Sequence, residues 1–141
     1  MNIFKGWLVF IVLNLAVVAC STPANRKLPS HQVMFLNGSS NNKLEVLDWG
    51  GTGRPILFLA GLGMTAHIFD DFAPRFTDDF HVYGLTRRGF GSSIQTSEGY
   101  DTKTLTSDIL AIIDSLDLNK VILIGHSIAG NEISKFASSY P

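Results

Sequence analysis

Two short runs, Ile56-Leu57-Phe58-Leu59-Ala60 and Val121-Ile122-Leu123-Ile124, are apolar at every position. A strand with one face in water alternates apolar with polar residues, so an unbroken apolar run fits a strand covered on both faces, as in a parallel sheet. Parallel neighbours need long crossovers, usually helices, and the sequence offers candidates. Residues 104–116 place Leu105, Ile109, Ile112, Ile113 and Leu116 on one helical face, and Ala129, Ile133, Phe136, Ala137 and Tyr140 form the same stripe after the second run. Residues 81–85 read as a weaker strand. The resulting order of strand and helix, repeated three times, predicts an α/β fold with a predominantly parallel sheet and right-handed crossovers. Ahead of it, residues 32–36 and 43–48 flank the turn signal Asn37-Gly38-Ser39-Ser40-Asn41-Asn42 and predict an antiparallel opening hairpin.

The first twenty residues follow a different logic. Lys5 precedes a hydrocarbon stretch over residues 7–19 broken only by Asn14. That stretch is short for a membrane span, which takes about 20 apolar residues, but it has the form of a secretory signal peptide. It ends Val17-Val18-Ala19-Cys20, and Cys20 is the only cysteine, so the segment resembles a bacterial lipobox. Cys20 is therefore the expected lipid attachment site, and the protein is expected to be exported and held at the cell envelope, or periplasmic or secreted if the signal is simply cleaved. Residues 21–30, with Pro23 and Pro29, read as a tether, and residues 31–141 as the folded domain. With 11 Lys and Arg against 12 Asp and Glu there is no basic block of the kind that neutralises phosphates, so a nucleic-acid partner is excluded.

The chemistry is concentrated in Gly125-His126-Ser127-Ile128-Ala129-Gly130, between the second apolar run and the last amphipathic helix. A serine on a sharp strand-to-helix turn sits in a sterically restricted backbone region, so the residues two before and two after it must be small, as Gly125 and Ala129 are. A Gly-x-Ser-x-small match arises by chance in roughly one chain in ten of this length, so the flanking strand and helix carry most of the weight.

Here the sequence resembles the α/β-hydrolase family. The segment is similar to its Gly-His-Ser-x-Gly-Gly nucleophile elbow, with Ala129 in place of the first trailing glycine. Arg88-Gly89-Phe90-Gly91-Ser92-Ser93 resembles the Arg-Gly-x-Gly-x-Ser turn after the fourth strand, with Thr86 where an Asp is common. Ala60-Gly61-Leu62-Gly63 takes the place of the His-Gly loop after the third strand. The resemblance implies an α/β-hydrolase fold truncated after the elbow helix. It also implies Ser127 as nucleophile, backbone N–H groups of Leu62 and Ile128 as oxyanion donors, a small-molecule ester-type substrate and no cofactor.

In this family the triad runs serine, acid, histidine, yet after Ser127 the sequence holds Glu132 as its one acid and no histidine. The 141-residue chain alone is thus expected to be inactive, and the strand over residues 121–124 to lie mid-sheet beside a sixth strand it lacks. His126, on the same tight turn, is expected to point away from the serine oxygen. His31, His67 and His81 are scattered without ligand spacing or an accompanying carboxylate cluster, so no metal site is expected. A rival signal is Gly61-Leu62-Gly63-Met64-Thr65-Ala66, which fits a dinucleotide fingerprint, with Arg87 and Arg88 as candidates for the 2′-phosphate of NADP. A third reading is a lipid-anchored binding protein that uses the same scaffold without turnover.

Overall fold

A computed structural model describes residues 31–140. The expected signal peptide, the expected lipid attachment site at Cys20 and the expected tether lie outside the described residues.

Five strands form one sheet: β1 (Gln32–Asn37), β2 (Lys43–Gly50), β3 (Arg54–Leu59), β4 (Phe80–Leu85) and β5 (Ile122–Gly125), in the order β1-β2-β4-β3-β5. The opening hairpin is antiparallel as expected, with Met34 opposite Val46 and Leu36 opposite Leu44. β2 also runs antiparallel to β4, whereas β3 is parallel to both β4 and β5. The sheet is therefore mixed, and its parallel half is the half that carries the two apolar runs.

The twofold alternation of side chains sends each central strand to two cores. Leu57 and Leu59 of β3, with Leu44, Val46, Tyr83 and Leu85, face helix α1 (Thr102–Ser115) and helix α2 (Ala129–Ser139) through Ile109, Ile112, Ile113 and Ala129. Ile56 and Phe58, with Leu47, Trp49 and Val82, face the opposite side. α1 begins at Thr102, two residues before the expected stretch, because Asp101 caps it: the Asp101 side chain accepts from Thr104 N at 3.0 Å and Thr104 Oγ1 at 2.6 Å. These bonds, the Thr104 hydroxyl first, hold the Asp101 carboxyl below the ordinary carboxylate range.

The crossover from β3 to β4 departs from expectation. In place of an α-helix it contains two short 3₁₀ turns, Ala66–Phe69 and Ala73–Phe76. Pro74 cannot donate a helix-interior hydrogen bond, and the segment meets the sheet with aromatic bulk rather than an aliphatic stripe. Phe58 stacks on Phe69 at 4.9 Å between ring centres and meets Phe72 and Phe76 edge-on or tilted at 5.9 Å. On the same face Gly84 makes room for Trp49, since a Cβ there would fall 2.7 Å from its ring.

β5 lies at the sheet's edge, paired with β3 alone among the described residues. Ile122 and Leu123 are half-buried and Ile124 is 36% exposed. The run is apolar throughout, but the described structure does not cover both its faces.

Candidate active site

Ser127 sits between β5 and α2 with φ +57°, in the left-handed region that a residue with a Cβ seldom occupies. The turn is held on both sides. His126 N donates to Leu59 O at 3.1 Å, carrying the β3–β5 pairing one residue past the strand, and Gly130 N donates to Ser127 O at 2.9 Å as α2 begins. The sizes of the neighbours follow from the same turn. A Cβ on Gly125 would lie 2.7 Å from Ile133 Cδ1 and 2.8 Å from Ala129 Cβ, and Ala129 is itself fully buried. Ser127 is exposed to solvent.

The loop after β3 lies beside this turn. A Cβ on Gly61 would come within 2.8 Å of His126 Nδ1, so the imidazole rests against the loop backbone. The loop makes a tight turn, Met64 N donating to Gly61 O at 3.2 Å, with Gly63 at φ +77°. A positive φ at the third residue of such a turn is the type II pattern, which favours glycine there. Leu62, at the second position, is 64% exposed. Among the described residues neither Leu62 N nor Ile128 N has a hydrogen-bond acceptor.

What the sequence reading missed is the anchor beneath that loop. Arg87, buried just past β4, donates to Ala60 O at 3.0 Å and Gly61 O at 3.4 Å, the two carbonyls preceding Leu62. Its Nε and Nη2 both lie 2.7 Å from Glu132 Oε1 on α2. One guanidinium thus ties the β3 loop to the helix that follows Ser127. Burial pushes the Glu132 carboxyl above its ordinary range, and the Arg87 charge offsets only part of that rise. Glu132 is committed to this pair. An arginine directly after a strand was visible in the sequence, but its partner lies 45 residues away.

The neighbouring Arg88 is also buried and makes a forked pair with Asp108 of α1, Nε to Oδ2 at 2.7 Å and Nη2 to Oδ1 at 2.6 Å. Ser39 closes the network: its N and Oγ donate to Asp108 Oδ1 at 2.8 and 2.6 Å, and its Oγ accepts from Arg88 at 2.8 Å. The bonds to Asp108 raise the Arg88 pKa further above its already high value. These pairings correct the NADP reading, since both arginines face carboxylates in the interior. The Gly-x-Gly-x-x-Ala segment also opens onto a four-residue 3₁₀ turn, without the long helix whose N-terminus holds a pyrophosphate. Thr86, at the position where an Asp is common, is buried; its Oγ1 accepts from Ala66 N at 3.0 Å and its carbonyl accepts from Ser93 Oγ at 2.6 Å.

The histidines also require a correction. His31 and His67 are not scattered in space: their rings meet edge-on at 5.1 Å, and each has a nitrogen within 3.2 Å of an Asp70 oxygen. Spacing along the chain hid this, because His31 arrives from the start of β1 while His67 and Asp70 share one 3₁₀ turn. His81 pairs with Asp48 at 2.9 Å and stacks on Tyr83.

The comparisons with known proteins agree with this architecture. A family model described as alpha/beta hydrolase fold matches residues 54–141, and the chain belongs to that family. A non-heme chloroperoxidase of Streptomyces lividans is 34% identical over 93 residues, covering 64% of this chain and 34% of that protein. A bifunctional esterase/perhydrolase of Acinetobacter calcoaceticus is 29% identical over 96 residues, covering 67% and 35%. Among solved structures, an esterase from Exiguobacterium antarcticum superposes with a TM-score of 0.73 at 28% identity, over 77% of this chain and 41% of that one. The chain thus spans roughly a third of the length of these two relatives.

Proposed function

We propose that this chain contributes the nucleophile and the oxyanion donors of a serine hydrolase acting on a carboxylic ester, lactone or amide. The observation that carries the reading is Ser127, exposed at φ +57° on a turn with Gly125, where a Cβ would clash, two residues before it and buried Ala129 two residues after. In the reaction Ser127 Oγ bonds to the substrate carbonyl carbon, and the π electrons move onto the carbonyl oxygen. The N–H groups of Leu62 and Ile128, without acceptors among the described residues, receive that oxyanion. Collapse expels the alcohol or amine, and water then releases the acyl group from the serine.

The attack needs a base for the hydroxyl proton. His126 rests against Gly61, and Glu132 is held by Arg87, so the proposal assigns the triad acid and imidazole to residues beyond position 141. Export and anchoring through Cys20 belong to the same proposal and rest on the sequence of residues 1–20.

A fluorophosphonate probe on the full-length protein tests the assignment. The adduct is expected on Ser127, and Ser127→Ala is expected to abolish both the adduct and turnover of short-chain nitrophenyl esters. Ester hydrolysis that survives Ser127→Ala overturns the assignment, and a folded protein that takes no adduct favours a non-catalytic binder. Residues 1–141 alone are expected to show no turnover; Ser127-dependent esterase activity from them would sink the external triad.

A further inference from the structure

Away from Ser127, on the sheet face opposite the two helices, His31, His67 and Asp70 converge, with donor atoms all within 4.8 Å of one another. We propose that these three residues bind a divalent first-row transition metal, with zinc as the occupant that the ligand set suits best. The inference is independent of the hydrolase reading.

Local geometry explains the convergence. A 3₁₀ turn has three residues per turn, so side chains at i and i+3 eclipse, and His67 and Asp70 share one edge of the turn that starts at Ala66. His67 Nδ1 lies 3.2 Å from Asp70 Oδ2. His31, the residue before β1, brings its Nδ1 to 2.9 Å from the other oxygen, Oδ1. That approach lies off the line needed for a hydrogen bond, and His31 Nδ1 is buried without a partner. Two imidazole nitrogens grouped round one carboxylate are borderline ligands of the kind zinc takes, at about 2.0–2.2 Å from the ion. Ligand atoms around a tetrahedral ion at that radius stand roughly 3.3 Å apart, close to the 2.9 and 3.2 Å between the two imidazole nitrogens and the Asp70 oxygens, in a set that lies within 4.8 Å overall.

The surroundings have the form of an outer shell. Metal-bound histidines generally give their second ring nitrogen to a carboxylate or carbonyl. The far nitrogen of His67, Nε2, faces Glu45 Oε1 at 3.7 Å, and Glu45 is 3% exposed with its other oxygen lacking a partner. Trp49 Nε1 donates to Asp70 Oδ1 at 3.2 Å, fixing the carboxylate from behind. A metal here would clamp the first residue of the folded domain to the turn that follows the Leu62 loop.

Trp49 supplies the readout, since its ring lies 5.9 Å from that of His31. Residues 1–141 hold two tryptophans, so in a Trp7→Phe version of these 141 residues Trp49 is the remaining indole emitter. Cobalt(II) is expected to quench its emission saturably at one equivalent, zinc to compete the quenching away, and zinc to raise the melting temperature. His67→Ala, at a side chain 41% exposed, is expected to weaken cobalt and zinc binding at least tenfold, on the scale of about 10–100-fold set by losing even outer-shell partners. Asp70→Asn is expected to act likewise, while His81→Ala, in a pair outside the cluster, leaves binding unchanged. Absence of saturable quenching in the parent overturns the site, as does quenching that His67→Ala and Asp70→Asn leave undiminished.

Discussion

Arg87 and Arg88 are adjacent in the chain, both buried and each paired with one carboxylate, yet they fasten different parts of the molecule. Arg88 joins α1 and the β1–β2 turn to the end of β4, all of it scaffold. Arg87 joins α2 to the carbonyls of Ala60 and Gly61, so its work is done beside Ser127. Their acids differ as well. Asp108 accepts four hydrogen bonds, whereas Glu132 accepts from Arg87 alone and burial leaves its carboxyl raised. One pair is closed within the scaffold; the other borders the turn that carries Ser127.

Breaking the scaffold pair is expected to produce the largest effect. Arg88→Ala leaves Asp108 buried without its cation, a change of the kind that costs about 3–5 kcal/mol. Urea unfolding followed by far-ultraviolet circular dichroism measures it, and a loss below that of Arg87→Ala would erase the distinction between the two anchors.

Arg87→Met sharpens the comparison from the other side. It removes the donors to Ala60 and Gly61 while keeping an unbranched stem of similar length, so the β3 loop loses its tie. In the full-length protein kcat is expected to fall roughly tenfold to a hundredfold, the scale on which small misplacements of catalytic groups act, with KM little changed. Unaltered ester kinetics would show that the loop holds its shape without Arg87.

The third expectation is smaller and depends on pH. Because the folded-state pKa of Glu132 is raised above its unfolded value, the folded protein binds the proton more tightly, and stability falls as pH rises through that window. Glu132→Gln carries no such proton. The parent should therefore lose stability relative to Glu132→Gln as pH climbs from below the ordinary glutamate range to neutrality. Parallel pH profiles of denaturation midpoint for the two proteins would contradict the raised carboxyl.

The parts legible in the sequence were those governed by local periodicity and by steric rules that act over a few residues. The unbroken apolar run of residues 56–60 marked a strand covered on both faces, and the helical stripe of Leu105, Ile109 and Ile112 marked the face that α1 turns to the sheet. The small residues around Ser127 marked the turn, and its positive φ is the conformation such neighbours permit. The crossover after β3 was misread because Ala66, Phe69, Ala73 and Phe76 can follow a helical or a 3₁₀ course, and contacts of the Phe58 ring with the aromatic side chains accompany the tighter one. The pairings of Arg87 with Glu132 and of His31 with Asp70 join residues 45 and 39 positions apart, and no local pattern encodes a meeting at that distance.

The backbone at Ser127 has a consequence for how such a chain evolves. An L-residue held in the left-handed region sits about 1–2 kcal/mol above its relaxed conformation, a penalty that glycine escapes. Ser127→Gly is therefore expected to raise the unfolding free energy by up to about 1 kcal/mol, while Ser127→Ala, which keeps the Cβ, leaves it near the parent value. Selection for stability alone favours losing the side chain at this position, and only selection for what the hydroxyl does opposes it. A population of sequences on this scaffold that have been released from that selection should accumulate glycine at position 127 ahead of other replacements, so the residue found there records whether the hydroxyl is under selection.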